Sequence, residues 1–124
     1  MADNEKTVQL SHGGGGKEMN RLIKSIFFKA FNNPILASEE DAALLNFEGQ
    51  AAFTTDSFTV SPLFFAGGNI GKLAIAGTVN DLAMCGARPM FLSAGLILEE
   101  GLPIDVLTGV VASMRDAAAA AGVR

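Results

Sequence analysis

Cysteine, histidine and positive charge are all scarce in this sequence. Its one cysteine, Cys85, excludes an internal disulfide and lies in no metal-ligand spacing. A lone cysteine in an apolar helix is expected to serve packing. His12 is the only histidine, and no partner for it in phosphate contact or proton transfer can be picked out from the sequence. Nine Lys and Arg stand against thirteen Asp and Glu, a net charge of −4, so there is no basic field for nucleic acid. Nowhere do roughly eighteen apolar residues run uninterrupted, as a membrane span requires. The start, Met-Ala-Asp-Asn-Glu-Lys, has no basic segment followed by an apolar core. The chain therefore reads as cytoplasmic, with no membrane contact.

What is present suits a packed domain. The 124 residues make one domain at most, and 49% hydrophobic with 18% charged residues fits a soluble globular chain. Residues 1–16 form a glycine-rich lead expected to be flexible, and residues 17–124 form the domain. From Glu18 to Phe31, apolar residues at Met19, Leu22, Ile23, Ile26 and Phe27 follow helical periodicity, and Asn32-Asn33-Pro34 stops the helix. The segments 43–47 and 50–55 flank Glu48-Gly49 and predict a hairpin. Asn69 is a good cap for a helix over 70–85, with Gly86 to end it. Residues 90–98 are strand-compatible, with Gly95 marking a bulge or a close backbone approach. Pro103 suits the start of a helix over 104–121 with Val106, Leu107, Val110, Val111 and Met114 on one face, and Gly122 is its stop. This order predicts an α/β or α+β fold, a mixed sheet covered by helices.

Two glycine-rich stretches invite comparison with a phosphate-binding P-loop, and both fail it. Before Gly16-Lys17 the required first glycine is Ser11 and the final hydroxyl is Glu18; around Gly71-Lys72 those positions hold Ala66 and Leu73. Four glycines before a helix nevertheless let backbone donors at Gly14 and Gly15 converge on an anion, with Lys17 as a mobile cation. A solvent-exposed lead with a surface lysine accounts for the same residues. Asp56 follows the apolar run Ala51-Ala52-Phe53, and Asp81 lies four residues after Gly77, so little bulk shields either acid. Such oxygens suit a magnesium ion shared with phosphate. Equally, Asp56 caps a turn and Asp81 is a solvated helix residue. Gly77 inside a helix costs about 1 kcal/mol relative to alanine, which asks for a packing or a ligand reason.

The segments Leu10-Ser11-His12-Gly13-Gly14-Gly15-Gly16-Lys17, Thr54-Thr55-Asp56-Ser57-Phe58, Asn69-Ile70-Gly71-Lys72-Leu73-Ala74-Ile75-Ala76-Gly77-Thr78-Val79-Asn80-Asp81 and Leu92-Ser93-Ala94-Gly95-Leu96 carry a family resemblance. Together they resemble the HypE family of hydrogenase maturation factors, carbamoyl dehydratases of the aminoimidazole ribonucleotide synthetase (PurM-like) superfamily. The resemblance runs from about Val8 to Arg124, with Ala66 standing where the family more often has proline. It implies a PurM-like amino-terminal ATP-binding domain. It implies Asp41, Asp56 and Asp81 as magnesium ligands, and Gly14, Gly15, Lys17, Gly77, Thr78 and Asn80 as nucleotide- or phosphate-binding residues, with the catalytic residue unknown. Only Asp41 of Glu39-Glu40-Asp41 carries over, because the family often has Gly-Asp-Asp-Ala-Ala there. ATP and magnesium are the implied cofactors. The implied partners are a second copy in a homodimer, the carbamoyltransferase that loads the tail and the scaffold complex that accepts cyanide. Relatives continue past the Ala-Gly-Val-Arg ending to a second domain and a cysteine-bearing tail. The domain is thus expected to be incomplete at its carboxy end, with Cys85 not the carrier thiol and no turnover by this chain alone. Another PurM-like phosphotransferase and a noncatalytic dimerisation module are the alternatives.

Overall fold

A computed structural model describes residues 6–124. Its element order is a 3-10 turn (Leu10–Gly13), helix α1 (Lys17–Leu22), a π-helical stretch (Ile23–Phe28), α2 (Lys29–Phe31), α3 (Pro34–Ala37), strands β1 (Phe64–Phe65) and β2 (Gly68–Asn69), α4 (Ile70–Met84) and α5 (Ile104–Ala121).

Local chemistry explains each helix boundary. The helical run from Lys17 stays right-handed through Phe28 and Lys29 and stops where Asn32 turns left-handed, at φ 36° and ψ 57°. Asparagine tolerates that region better than most residues. Asn33 then restarts the helix by accepting from the Leu36 N–H at 2.9 Å, with Pro34 in the first turn. Sequence reasoning read Asn33-Pro34 only as a stop, whereas a capping residue followed by proline also opens a helix. Helix α5 ends at Gly122, whose φ of 69° disfavours a side chain, as expected from its position.

Helix α5 is the central element. Leu107 and Val111 are almost fully enclosed, and they pack with Val8 and Ile26 in one cluster. On the adjoining stripe, Val110, Met114 and Ala118 pack against Ile75 of α4. Phe31 borders both clusters and joins them. Four of the five residues assigned to the buried face of α5 are buried, and Val106 is half-buried. Apolar surface removed from water at about 25 cal/mol per Å2 makes this contact the main stabilising term. Close approach of α4 and α5 depends on Gly71, where an added Cβ would collide with the Val110 carbonyl oxygen.

Sheet content differs from expectation. The one named sheet among the described residues is the antiparallel pair β1–β2, in register Phe64↔Asn69 and Phe65↔Gly68. Ala66-Gly67 turns this hairpin, and Gly67 has φ 95°, as the third position of a type II turn demands. Residues 43–55 form no hairpin. Gly49 adopts φ 77°, but Leu44 and Phe53 remain 91% and 86% exposed, so the flanks have no apolar face to bury. An isolated hairpin without a buried face is marginal in water. Residues 90–98 form no strand; within them Leu92 N–H donates to the Arg124 carbonyl, and Arg124 N–H to that of Met90. Nothing approaches a Cβ built on Gly95 within 4 Å, which corrects the close-approach reading.

Part of the lead is anchored. Thr7 bridges Pro103, Val8 N–H donates to the Leu102 carbonyl at 2.8 Å, and Gly101 N–H donates to that of Val8 at 2.8 Å. Val8 is 5% exposed, and these bonds lead it into the core beside α5.

Candidate functional site

Helix α4 carries four of the candidate residues, Gly77, Thr78, Asn80 and Asp81, and its start is held by Asn69. The Asn69 carboxamide oxygen accepts from the N–H groups of Gly71 at 2.9 Å and Lys72 at 3.2 Å. Its nitrogen donates to Ser113 Oγ on α5 at 2.7 Å. One buried side chain thus caps α4 and ties it to α5. The first donors of α4 are spent on this cap, and Lys72 Nζ bends back to the Gly67 carbonyl at 3.0 Å. The Gly71-Lys72 stretch is accordingly a helix cap, in keeping with its failure as a P-loop.

Residues 54–58 lie against the second half of α4. The Thr54 hydroxyl donates to Asp81 Oδ2 at 3.3 Å. Four residues on, two ring carbons of Phe58 lie 2.8 Å from where a Gly77 Cβ would stand. Asp56 lies in sequence between the two contacts and is exposed, with Ser57 N–H donating to its Oδ1 at 3.2 Å. Packing against Phe58 supplies the reason for glycine at position 77.

Asp41, Asp56 and Asp81 are all exposed, and so is Asn80, while Thr78 is half-buried. Among the described residues no three His, Cys, Asp or Glu side chains gather where they would hold a metal ion. A cage built from protein alone is therefore not formed. The donor chemistry at Asp56 and Asp81 still fits a hard cation, because both offer carboxylate oxygen to solvent. Magnesium typically uses one or two carboxylates and completes its shell with water and phosphate.

Gly13 to Gly16 and Lys17 are exposed at the start of α1. Beside them His12 is 5% exposed, and its Nδ1 accepts from the Gln9 N–H at 2.9 Å. Such acceptance requires an unprotonated Nδ1, so the ring pins the 3-10 turn that precedes the glycines. Cys85, expected to pack, is instead exposed at the end of α4. Sequence reasoning named Asp81 but missed the Thr54 hydroxyl bonded to it. A contact across 27 residues leaves no periodic or spacing signal.

Comparison with known proteins adds independent findings. Residues 39–124 match the family model described as AIR synthase related protein, N-terminal domain. The chain is 56% identical over 122 residues to the carbamoyl dehydratase HypE of Escherichia coli (strain K12), covering 94% of this chain and 36% of that protein. It is 50% identical over 127 residues to the carbamoyl dehydratase HypE of Rhodobacter capsulatus, covering 100% of this chain and 37% of the relative. Its structure superposes on the hydrogenase maturation protein HypE solved in complex with ATP with a TM-score of 0.92 and 56% identity, over 94% of this chain and 35% of that one. The chain thus spans about a third of the length of the relatives it matches.

Proposed function

This chain belongs to the AIR synthase related family through its N-terminal domain, and on that premise we propose that it forms the nucleotide-binding amino-terminal part of a carbamoyl dehydratase of hydrogenase maturation. The observation that carries the reading is the likeness to the ATP-bound maturation protein, at a TM-score of 0.92 and 56% identity.

In this reading Asp56 and Asp81 would hold a magnesium ion beside the ATP phosphates, Asp41 is carried as a ligand by family likeness alone, and Gly14, Gly15, Lys17, Gly77, Thr78 and Asn80 would contact nucleotide or phosphate. A magnesium ion held there would supply charge compensation for the transferring phosphoryl group. The reaction served is dehydration of a carboxamide carried as a thioester-like group on a cysteine. Its amide oxygen is a poor leaving group. Transfer of the γ-phosphoryl group to that oxygen releases ADP and one amide proton. Loss of phosphate and the second proton then leaves a carbon–nitrogen triple bond, a thiocyanate that supplies cyanide to nickel-iron hydrogenase.

The partners in this reading are a carbamoyltransferase that loads the cysteine and a scaffold complex that accepts the cyanide, in the cytoplasm. A homodimer fits the apolar side chains left in solvent on two irregular segments, Leu44 and Phe53 on one and Ile97 on the other. The same exposure favours a second reading, a noncatalytic dimerisation module.

Magnesium-dependent ATP binding by calorimetry, with Asp56→Ala and Asp81→Ala alongside and light scattering to size the species, tests the reading. Saturable binding that both substitutions abolish is expected. A folded chain that dimerises but binds no nucleotide rejects the nucleotide site and leaves the dimerisation module.

A further inference from the structure

We propose that Thr54 is a positioning residue that orients the Asp81 carboxylate toward the cation, an inference that rests on the functional reading above. Asp81 stands on an exposed turn of α4, where a carboxylate without a partner exchanges among rotamers. The Thr54 hydroxyl reaches it across 27 residues of sequence and donates to Oδ2 at 3.3 Å. Among the described residues no other side-chain hydrogen bond ties residues 42–60 to α4, and the packing of Phe58 on Gly77 is steric.

At 3.3 Å the contact is longer than the roughly 2.6 Å usual for a hydroxyl on an ionised carboxylate, so it is a weak bond that biases the Asp81 rotamer without neutralising its charge. A carboxylate has lone pairs for several partners, and this bond uses only one oxygen. Groups that hold a ligating carboxylate from behind are worth about 10- to 100-fold in metal affinity.

The test is calorimetry of ATP against the 124-residue chain at graded magnesium concentrations and in chelator, with Thr54→Val, Thr54→Ser, Asp81→Asn and the double variant Thr54→Val/Asp81→Asn. Thr54→Val is expected to raise the magnesium concentration for half-saturation about tenfold, leaving the affinity in chelator unchanged. Thr54→Ser is expected to restore it, because serine keeps the hydroxyl, and the double variant should be no weaker than Asp81→Asn. Wild-type magnesium dependence that Asp81→Asn removes but Thr54→Val leaves intact overturns the positioning role alone. Absence of any effect from Asp81→Asn, or of magnesium-dependent binding in the wild type, overturns the site reading and this inference with it. A loss in chelator equal to that in magnesium also overturns it, by assigning Thr54 to folding.

Discussion

Replacing Gly71 by alanine should destabilise this protein, although alanine is the better helix former. Gly71 lies in the first turn of α4, and a Cβ there meets three neighbours: the Val110 carbonyl oxygen, Met114 Cγ at 2.9 Å and the Asn69 carboxamide oxygen at 3.1 Å. The Met114 side chain can yield, but the Val110 oxygen belongs to the backbone of α5. Relief therefore requires α4 and α5 to separate. A radial gap of about 0.5–1 Å forfeits a quarter to a half of each dispersion contact, here along the packing of Ile75 with Val110, Met114 and Ala118. Overpacking of a well-filled core costs about 1–3 kcal/mol. The gain in helix propensity is below its full value of about 1 kcal/mol, because the site is in the first turn. The net loss is about 1–2 kcal/mol, which at a urea slope of about 1–3 kcal/mol per molar lowers the midpoint by roughly 1 M. Urea unfolding followed by far-ultraviolet circular dichroism measures it. Gly77→Ala is the internal contrast: it sits mid-helix, its 2.8 Å neighbours are the far end of the Phe58 ring on an irregular segment, and the ring can swing away. Its stability should stay within about 1 kcal/mol of wild type, propensity gain offsetting the displaced ring. A Gly71→Ala midpoint equal to or above wild type would refute the argument that backbone contact sets the helix spacing.

Two further substitutions test local chemistry. Asn69→Ala removes the cap on Gly71 and Lys72 and the donor to Ser113, so it should cost about 1–2 kcal/mol in the same urea experiment; Asn69→Asp, which keeps the cap oxygen, should recover part of it. Ala66→Pro places proline at the second position of the β1–β2 turn, where type II geometry welcomes it, and should stabilise by about 0.4–1 kcal/mol through the unfolded chain; a lowered midpoint would mean that the Ala66 backbone does not meet proline's φ.

Helix boundaries were legible in the sequence because their causes are local. Asn69 caps α4, Asn32 and Gly122 turn left-handed, and the apolar stripe of α5 is buried where periodicity put it. Strands were not legible, because a strand exists only where another chain segment completes its ladder. Residues 43–55 have the residue types and the turn glycine of a hairpin, but Leu44 and Phe53 find nothing to pack on, so propensity alone does not pair them. Phe47 instead meets Phe91 edge-on, with centroids 6.0 Å apart. Cys85 was misread because a small apolar residue at a helix end can face either way, and the exposed side prevails there. For the site, Asp56 and Asp81 stood out by their neighbours in sequence, Asp41 by family likeness alone. The Thr54 hydroxyl on Asp81 had no such signal, and only the folded chain reveals it.

The solvent-facing position of Cys85 also makes this protein unusually easy to instrument. It is the sole thiol in the chain and lies four residues beyond Asp81, about one helical turn and 6 Å along the axis. A maleimide dye or nitroxide attached there needs no prior removal of other cysteines. Such a probe would sit one turn from the proposed cation ligand and outside both apolar clusters. Nucleotide and metal titrations then become optical or magnetic measurements on a chain carrying its native sequence.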